Sequence, residues 1–352
     1  MQQKSFKLKK LLLSAVLGAA FATPAVAQTN VTVSGLVDVY AGSMRNAGDV
    51  ERRSVVNSGG MTTSWFGFKG TEDLGGGLKA HFLLTSFFQA DTGVQGRGFP
   101  DTMWSRDANV GLSGSFGTVS VGRELAPHFL PTILFNPFGD SYTFAPLILH
   151  ADVPTFNASG NVNWGSSLAA DTGWSNSIRY ITPDFGGLKA NLHYQFGEVA
   201  GSTGTNNVGA NLLFFRGPLA LTAFYHNTEV TNPVPAVSPT NQKAWMLGGS
   251  YDFSAAKLFA TYGQTRHDID LDDKTLSLGA SVPFGQGKFL AAWAQTKREG
   301  TAFGAEQKRN TASFGYDYNL SKRTDLYAVY MHDRITDQDS GNSFGLGLRH
   351  RF

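Results

Sequence analysis

LKANLHYQFG, residues 188–197, is the stretch on which the fold turns. Leu188, Ala190, Leu192, Tyr194 and Phe196 occupy one set of alternate positions; Lys189, Asn191, His193, Gln195 and Gly197 occupy the other. Successive side chains of a β-strand point to opposite faces, so the segment has one greasy and one wet side. Residues 311–318 repeat the pattern, with Ala312, Phe314, Tyr316 and Tyr318 against Thr311, Ser313, Gly315 and Asp317. So do residues 343–352, where Phe344, Leu346, Leu348 and Phe352 oppose Ser343, Gly345, Gly347, Arg349 and Arg351.

A soluble β-sandwich also alternates, so the pattern needs support. The wet faces carry Lys69, Lys79, Arg179, Lys189 and Arg349 in mid-strand, where a shared sandwich core would exclude them. Connections are short at 73–77, 115–117, 184–187, 217–218 and 320–323, and long at 43–61, 91–104, 230–242 and 299–308. Aromatic residues gather near strand ends, as in Tyr316, Tyr318 and Phe352. An apolar outside, a polar inside, and short turns at one end with long loops at the other describe a transmembrane β-barrel. In lipid only helices or a closed barrel satisfy every backbone N–H and C=O, and the pattern offers no spanning helix.

The expected fold is therefore all-β, a 16-stranded antiparallel barrel. Its strands are read at 30–42, 62–71, 78–90, 105–113, 118–124, 173–182, 187–197, 207–216, 218–229, 243–252, 257–267, 274–282, 288–298, 309–318, 323–333 and 343–352. The eighth, tenth, eleventh, thirteenth and fifteenth alternate poorly, and their inward faces are left unassigned.

Composition agrees. Glycine is 41 of 352 residues, well above the usual ~7%, and charged residues are 16% against a usual ~25%. Cysteine is absent, which removes disulfides, Cys-ligated zinc and Cys nucleophiles together. Residues 1–27 read as a cleaved signal peptide. Lys4, Lys7, Lys9 and Lys10 precede an apolar run at 11–22, and Ala25-Val26-Ala27 supplies the cleavage site. This leader holds four of the 29 basic residues and none of the 27 acids. The remaining barrel domain, 28–352, thus carries 25 against 27, a net charge of −2 rather than +2.

Between the fifth and sixth strands, residues 125–172 run without a single Lys or Arg. They contain Asp140, Asp152 and Asp171, His128 and His150, and the aromatics Phe129, Phe135, Phe138, Tyr142, Phe144, Phe156 and Trp164. Loops this long are usually functional, and this one is too aromatic for a solvated surface. It is expected to fold into the barrel as a long third outer loop, setting acids across from inward basic residues. The resulting transverse field would filter solutes by charge and dipole as well as by size.

The segments VTVSGLVDVY (31–40), SWFGFKGTEDLGGGLKAHF (64–82), VGLSGSFGTVSVGRE (110–124), NSIRYITPDFGGLKANLHY (176–194) and GLGLRHRF (345–352) resemble the general porins of Gram-negative outer membranes, in particular the β-proteobacterial (Neisseria, Burkholderia, Comamonas-like) branch. The resemblance implies a homotrimer of water-filled diffusion channels set in outer-membrane lipid and lipopolysaccharide and passing small solutes and ions. The first strands, the last strand and a latch at 91–104 would make the trimer contacts. It also implies that Phe352, Leu348, Leu346 and Phe344 form the signal read by the barrel-assembly machinery.

Arg179 stands where family members carry a constriction arginine, and alternation turns it inward. Trp65 stands where relatives usually have Arg. Arg106 occupies a familiar Arg position, although counting back from Val110 and Leu112 turns Asp107 inward instead. The expected constriction comprises Arg179, Arg106, Asp107, Trp65 and Lys69 on the wall, with Asp140, Phe138 and Asp152 on the loop. Asp38, Lys79, His81, Lys189, His193 and Arg349 are expected in the lumen. The departures from the pattern weaken the implied anion preference, and the aromatic loop offers an alternative selectivity for aromatic or organic-acid solutes.

Catalysis finds little footing. Gly341-Asn342-Ser343-Phe344-Gly345 matches a hydrolase elbow, but seven residues remain after it, too few for the helix that must follow. Ser343 and His350 have opposite parity on one strand and face apart, arguing against a barrel enzyme. The eight histidines lack ligand spacing, so neither metal nor cofactor is expected, and nothing points to nucleic acid. A purely structural envelope protein would not need lumen charges of both signs.

Overall fold

The computed structural model describes residues 30–97, 101–156, 162–164, 168, 171–201, 206–229, 241–268, 270–300 and 306–352. The 1–27 leader and nearly all of the 230–242 loop lie outside them.

The first half of the barrel contains β1 (Asn30–Met44), β2 (Arg53–Ser58), β3 (Trp65–Gly75), β4 (Leu78–Phe87), β5 (Asp107–Gly114) and β6 (Gly117–Leu125). Helices α1 (Phe129–Leu134) and α2 (Pro146–Asp152) and the small hairpin β7 (Thr155–Phe156) and β8 (Val162–Trp164) follow. The wall resumes with β9 (Gly173–Ile181), β10 (Leu188–Phe196), β11 (Asn206–Arg216), β12 (Leu219–Thr228) and β13 (Gln242–Asp252). It ends with β14 (Lys257–His267), β15 (Asp272–Phe284), β16 (Gly287–Glu299), β17 (Gln307–Asn319), β18 (Thr324–Ile335) and β19 (Gly341–Arg351). Neighbours pair antiparallel all the way round, and β1 closes on β19 from Leu36↔Arg351 to Ser43↔Phe344.

Strands β2 and β3 both pair with the same edge of β1, β2 above (Val39↔Ser58) and β3 below (Leu36↔Trp65). They are one wall strand interrupted at 59–64, which makes the barrel sixteen-stranded. The interruption turns inward because Asp38 holds it: its carboxylate accepts the amides of Gly60, Met61 and Thr62, the last two at 2.8 Å. Tyr327 donates its hydroxyl to the same carboxylate. A Cβ at Gly60 would collide with that phenol, so the close approach needs glycine. The connection expected as a loop at 43–61 is thus largely a hairpin, with β-branched Val55 and Val56 supplying strand propensity.

Parity survives along most of the wall, and a bulge at 122–124 turns both Arg123 and Glu124 inward. On β1, Val33 is 56% exposed on the outside while Asp38 is fully buried within. Leu192, Phe344, Leu346 and Leu348 also face outward and exposed, a cost in water that lipid removes. Four of the five poorly alternating strands have a common explanation. β11, β13, β16 and β18 present inward Leu213, Met246, Leu290 and Met331, all buried. These form the floor on which the long loop packs. β14 adds an inward, buried Phe259 nearer its turn end.

Candidate pore constriction

The loop enters the barrel because its apolar residues need that floor. Phe138, Phe144, Ile148 and Leu149 pack with Tyr40, Leu290, Tyr327, Val329 and Met331, while Leu147 meets Phe224 and Met246. Each fully buried side chain of this size contributes about 1.5–3 kcal/mol. Pro146 opens α2 at a position where the missing N–H costs nothing. Polar contacts then fix the register. Ser141 donates to the Gly60 carbonyl (2.6 Å), Ser313 to that of Phe144 (2.7 Å) and Arg309 to that of Leu149 (3.1 Å). The two His150 nitrogens each lie 2.8 Å from a threonine hydroxyl, Thr296 and Thr311.

At the loop's return, Asp171 sits between two guanidiniums, Arg97 at 2.9 Å and Arg123 at 2.5 Å. Burial alone would raise its pKa, but Arg97 and Arg123 outweigh it and hold the carboxyl well below the usual range. Arg97 belongs to the 91–104 segment expected to reach a neighbouring subunit. Its guanidinium also binds Asp101 at 2.8 Å, so both of its ion pairs lie within this chain.

The opposite wall carries the cations. Register places Trp65 and Lys69 inward beside Leu36 and Thr32, and Lys79 and His81 inward on β4. Lys69 and Lys79 are exposed and make no ion pair among the described residues. Asp107 faces inward as expected, accepting Thr85 at 2.8 Å. Arg106 is not lost to the outside, however. Its guanidinium lies 4.3 Å over the Trp65 ring and 3.2 Å from Asp107, so both members of the pair reach the lumen. Arg179 also faces inward and binds Glu124 at 2.7 Å. The sequence reading missed Glu124, although the parity of Thr118, Ser120 and Gly122 would have found it. Lys189 stands at the turn end, 3.9 Å from Asp184.

Of the three loop aspartates, only Asp140 is partly open to the channel. Burial raises its carboxyl above the ordinary value, against the Thr62 hydroxyl and the charges of Arg349 and Arg106, which pull it down. Arg349 is buried between Asp325 (2.9 Å), Asp317 (3.3 Å) and Thr62 (2.9 Å).

Several expected positions are corrected. Phe138 is 1% exposed and packs on the floor, so its ring does not narrow the channel. Asp152 is turned under the loop, 3.4 Å from His128 Nε2, away from the passage. Asp38 and His193 face inward but are covered. Asp38 lies under the 59–64 insert, and His193 under Trp174, 4.8 Å from its ring. Phe129, Phe135, Phe144 and Trp164 are also buried, whereas Tyr142 stays half-buried beside Tyr40 on the channel side of the loop.

The Gram-negative porin profile matches residues 13–338. Outer membrane porin protein 32 of Delftia acidovorans is 34% identical over 91% of this chain and 87% of its own length. An outer membrane porin protein of Bordetella pertussis is 28% identical over 98% of this chain and 100% of its own. Among solved structures, the anion-selective porin from Comamonas acidovorans superposes with a TM-score of 0.75 at 26% identity, covering 92% of this chain and all of that one. The trimer form of OmpT from Vibrio cholerae, at 16% identity and a TM-score of 0.67 over 92% and 99%, shares the fold.

Proposed function

The chain belongs to the Gram-negative porin family, and on that premise we propose that its channel favours small anions, screened by a field across its narrowest section. It is a passive channel of the outer membrane and not an enzyme. The observation carrying the selectivity is positional. Lys69, Lys79, Arg106, Arg179 and Lys189 face inward from or beside strands that are contiguous in the wall, β3 to β6 and then β9 and β10. Asp107, Glu124 and Asp184 offset three of these cations, leaving Lys69, Lys79 and Arg53 on the wall, with Asp73 opposite Lys79 and Asp140 on the loop, to set the balance. The similarity to the anion-selective porin from Comamonas acidovorans supports the same sign.

In a planar bilayer under a KCl gradient, the wild-type reversal potential should report chloride over potassium. Lys69→Gln with Lys79→Gln should lower the permeability ratio roughly twofold or more. Arg179→Ala should shift it the same way, because it strands the Glu124 carboxylate in the wall. A cation-selective wild type, or variants with unaltered ratios, would remove these residues from the filter.

Assembly as a homotrimer is part of the same proposal. The outward faces of β1 to β5 carry neither Lys nor Arg, leaving a face suited to another copy. Conductance should then rise in groups of three steps. Residues 1–27 are proposed to be removed on export, so Edman sequencing of the membrane protein should begin at Gln28. The Phe352 amide and carbonyl bond with Gly35 across the closing seam (3.0 and 3.2 Å). With the outward Leu348, Leu346 and Phe344, this residue is proposed as the signal read by the assembly machinery. Phe352→Ala should cut heat-modifiable barrel in the outer membrane several-fold while single-channel conductance of the survivors stays the same.

A further inference from the structure

Arg106 stands on the wrong side of the wall for a charge. Its amide donates to the Thr85 carbonyl at 3.3 Å, so it continues the ladder that β5 makes with β4. Asp107 beside it is buried inside, which gives Arg106 the outward parity of Ala108, Val110 and Leu112. Val110 and Leu112 are exposed there, and an arginine among them would lie against an apolar surface at high cost. The side chain instead bends round into the lumen, where its guanidinium carbon lies 4.3 Å from the centre of the Trp65 ring. Among the described residues one of its nitrogens, Nη1, meets a carboxylate, that of Asp107 at 3.2 Å. The same carboxylate oxygen already accepts the Thr85 hydroxyl at 2.8 Å. Asp107 thus supplies one shared hydrogen bond, and the indole supplies the broad contact.

Trp65 is fixed where it can do this. It opens β3, at the point where the wall resumes after the 59–64 insert, and pairs with Leu36 on one edge and Phe87 on the other. Ser64 before it is buried, its hydroxyl accepting the Asp38 amide and its carbonyl the Phe88 amide, each at 3.0 Å. The ring therefore projects from a backbone tied on both sides. Indole offers the strongest π face to a cation, and a planar guanidinium stacks on it well. We propose that Trp65, itself uncharged, determines ion selectivity by recruiting Arg106 from the outward parity and holding its guanidinium in the passage. Trp65 is a positioning residue; the charge that meets the permeating ion is that of Arg106. The inference rests on the proposed screening by charge and deepens it. Removing a neutral ring should change selectivity, whereas a ring that only narrowed the passage would change conductance alone.

The test is a double-mutant cycle read as reversal potentials of the full-length protein in a planar bilayer under a KCl gradient. W65L and R106Q should each lower the chloride-to-potassium permeability ratio roughly twofold. W65L/R106Q should lower it no further than R106Q does, because both substitutions remove the same cation from the passage. W65F should fall between wild type and W65L, since phenylalanine keeps a weaker π face. Heat-modifiable mobility like that of wild type establishes that the variants fold, and W65F with W65F/R106Q repeats the cycle with a milder change. A wild-type ratio in folded W65L, a wild-type ratio in R106Q, or a W65L effect of the same size in the R106Q background would overturn the proposal. The cycle compares variants with one another. A cation-selective wild type would therefore refute the anion preference while the coupling of Trp65 to Arg106 is read as before.

Discussion

Asp333→Ala should destabilise the barrel interior by about 3–5 kcal/mol, the cost of leaving a buried guanidinium without its carboxylate. Arg309 and Asp333 are both fully buried and meet at 3.0 and 3.1 Å, with Thr311 donating to the same carboxylate at 2.5 Å. The consequence reaches beyond the pair, since Arg309 also donates to the Leu149 carbonyl and so fastens α2. The variant should show an earlier urea-unfolding midpoint and a noisier open channel as the loop detaches. Arg309→Met with Asp333→Leu should recover much of the midpoint, because the desolvation cost disappears along with the attraction. The recovered barrel should stay noisy, however, because the link to Leu149 is still missing. A silent single variant would mean that the pair is solvated in the membrane-embedded protein.

Acid should release the same loop. His150 is buried between two hydroxyls, and burial holds its pKa well below the ordinary 6.5, with Arg309 and Arg298 adding to the effect and Asp333 opposing it. An undocked His150 titrates normally. Below pH 6.5 the undocked state therefore binds the additional proton, and docking weakens progressively as the pH falls. Above pH 6.5 both states are neutral and the term vanishes. The loss grows as the pH falls further below 6.5 and changes loop occupancy visibly. Asp171 acts later: its carboxyl is depressed by Arg97 and Arg123, so its contribution to docking is intact above the ordinary carboxylate value of 3.8 and is lost only as the pH falls below it. Channel noise should rise between pH 6.5 and 5, and His150→Gln should flatten that rise while leaving the more acidic transition. An unaltered profile in the variant would assign the noise elsewhere.

Much of this architecture is legible in the chain because a period of two is a local property. Residues 188–197 declare their two faces without reference to anything distant. What escapes the pattern is set by partners far away in sequence. The interruption at 59–64 depends on Asp38 and on Tyr327, 289 residues further on, and no local signal announces it. The poor alternation of β11, β13, β16 and β18 is likewise a long-range effect. Leu213, Met246, Leu290 and Met331 occupy lumen positions and are apolar because the loop covers them. The charged residues divide along the same line. Lys69, Lys79, Arg179 and Lys189 were readable from strand parity, whereas the Arg106 guanidinium turns inward from a position that parity assigns outward. Loop side chains follow neither rule, which is why Phe138 and Asp152 could be named but not aimed.

Because the loop rests on the β11–β18 side, the free passage is pushed off the barrel axis toward β3–β10. A solute then travels in an eccentric duct with charged groups on one flank and a loop surface bearing Asp140 on the other. Such a duct exerts a torque. A small molecule with separated charges must turn its dipole across the direction of travel as it passes, surrendering rotational freedom that a compact ion never had. Two neutral zwitterions of equal mass, differing only in the distance between their amino and carboxyl groups, should therefore permeate at different rates.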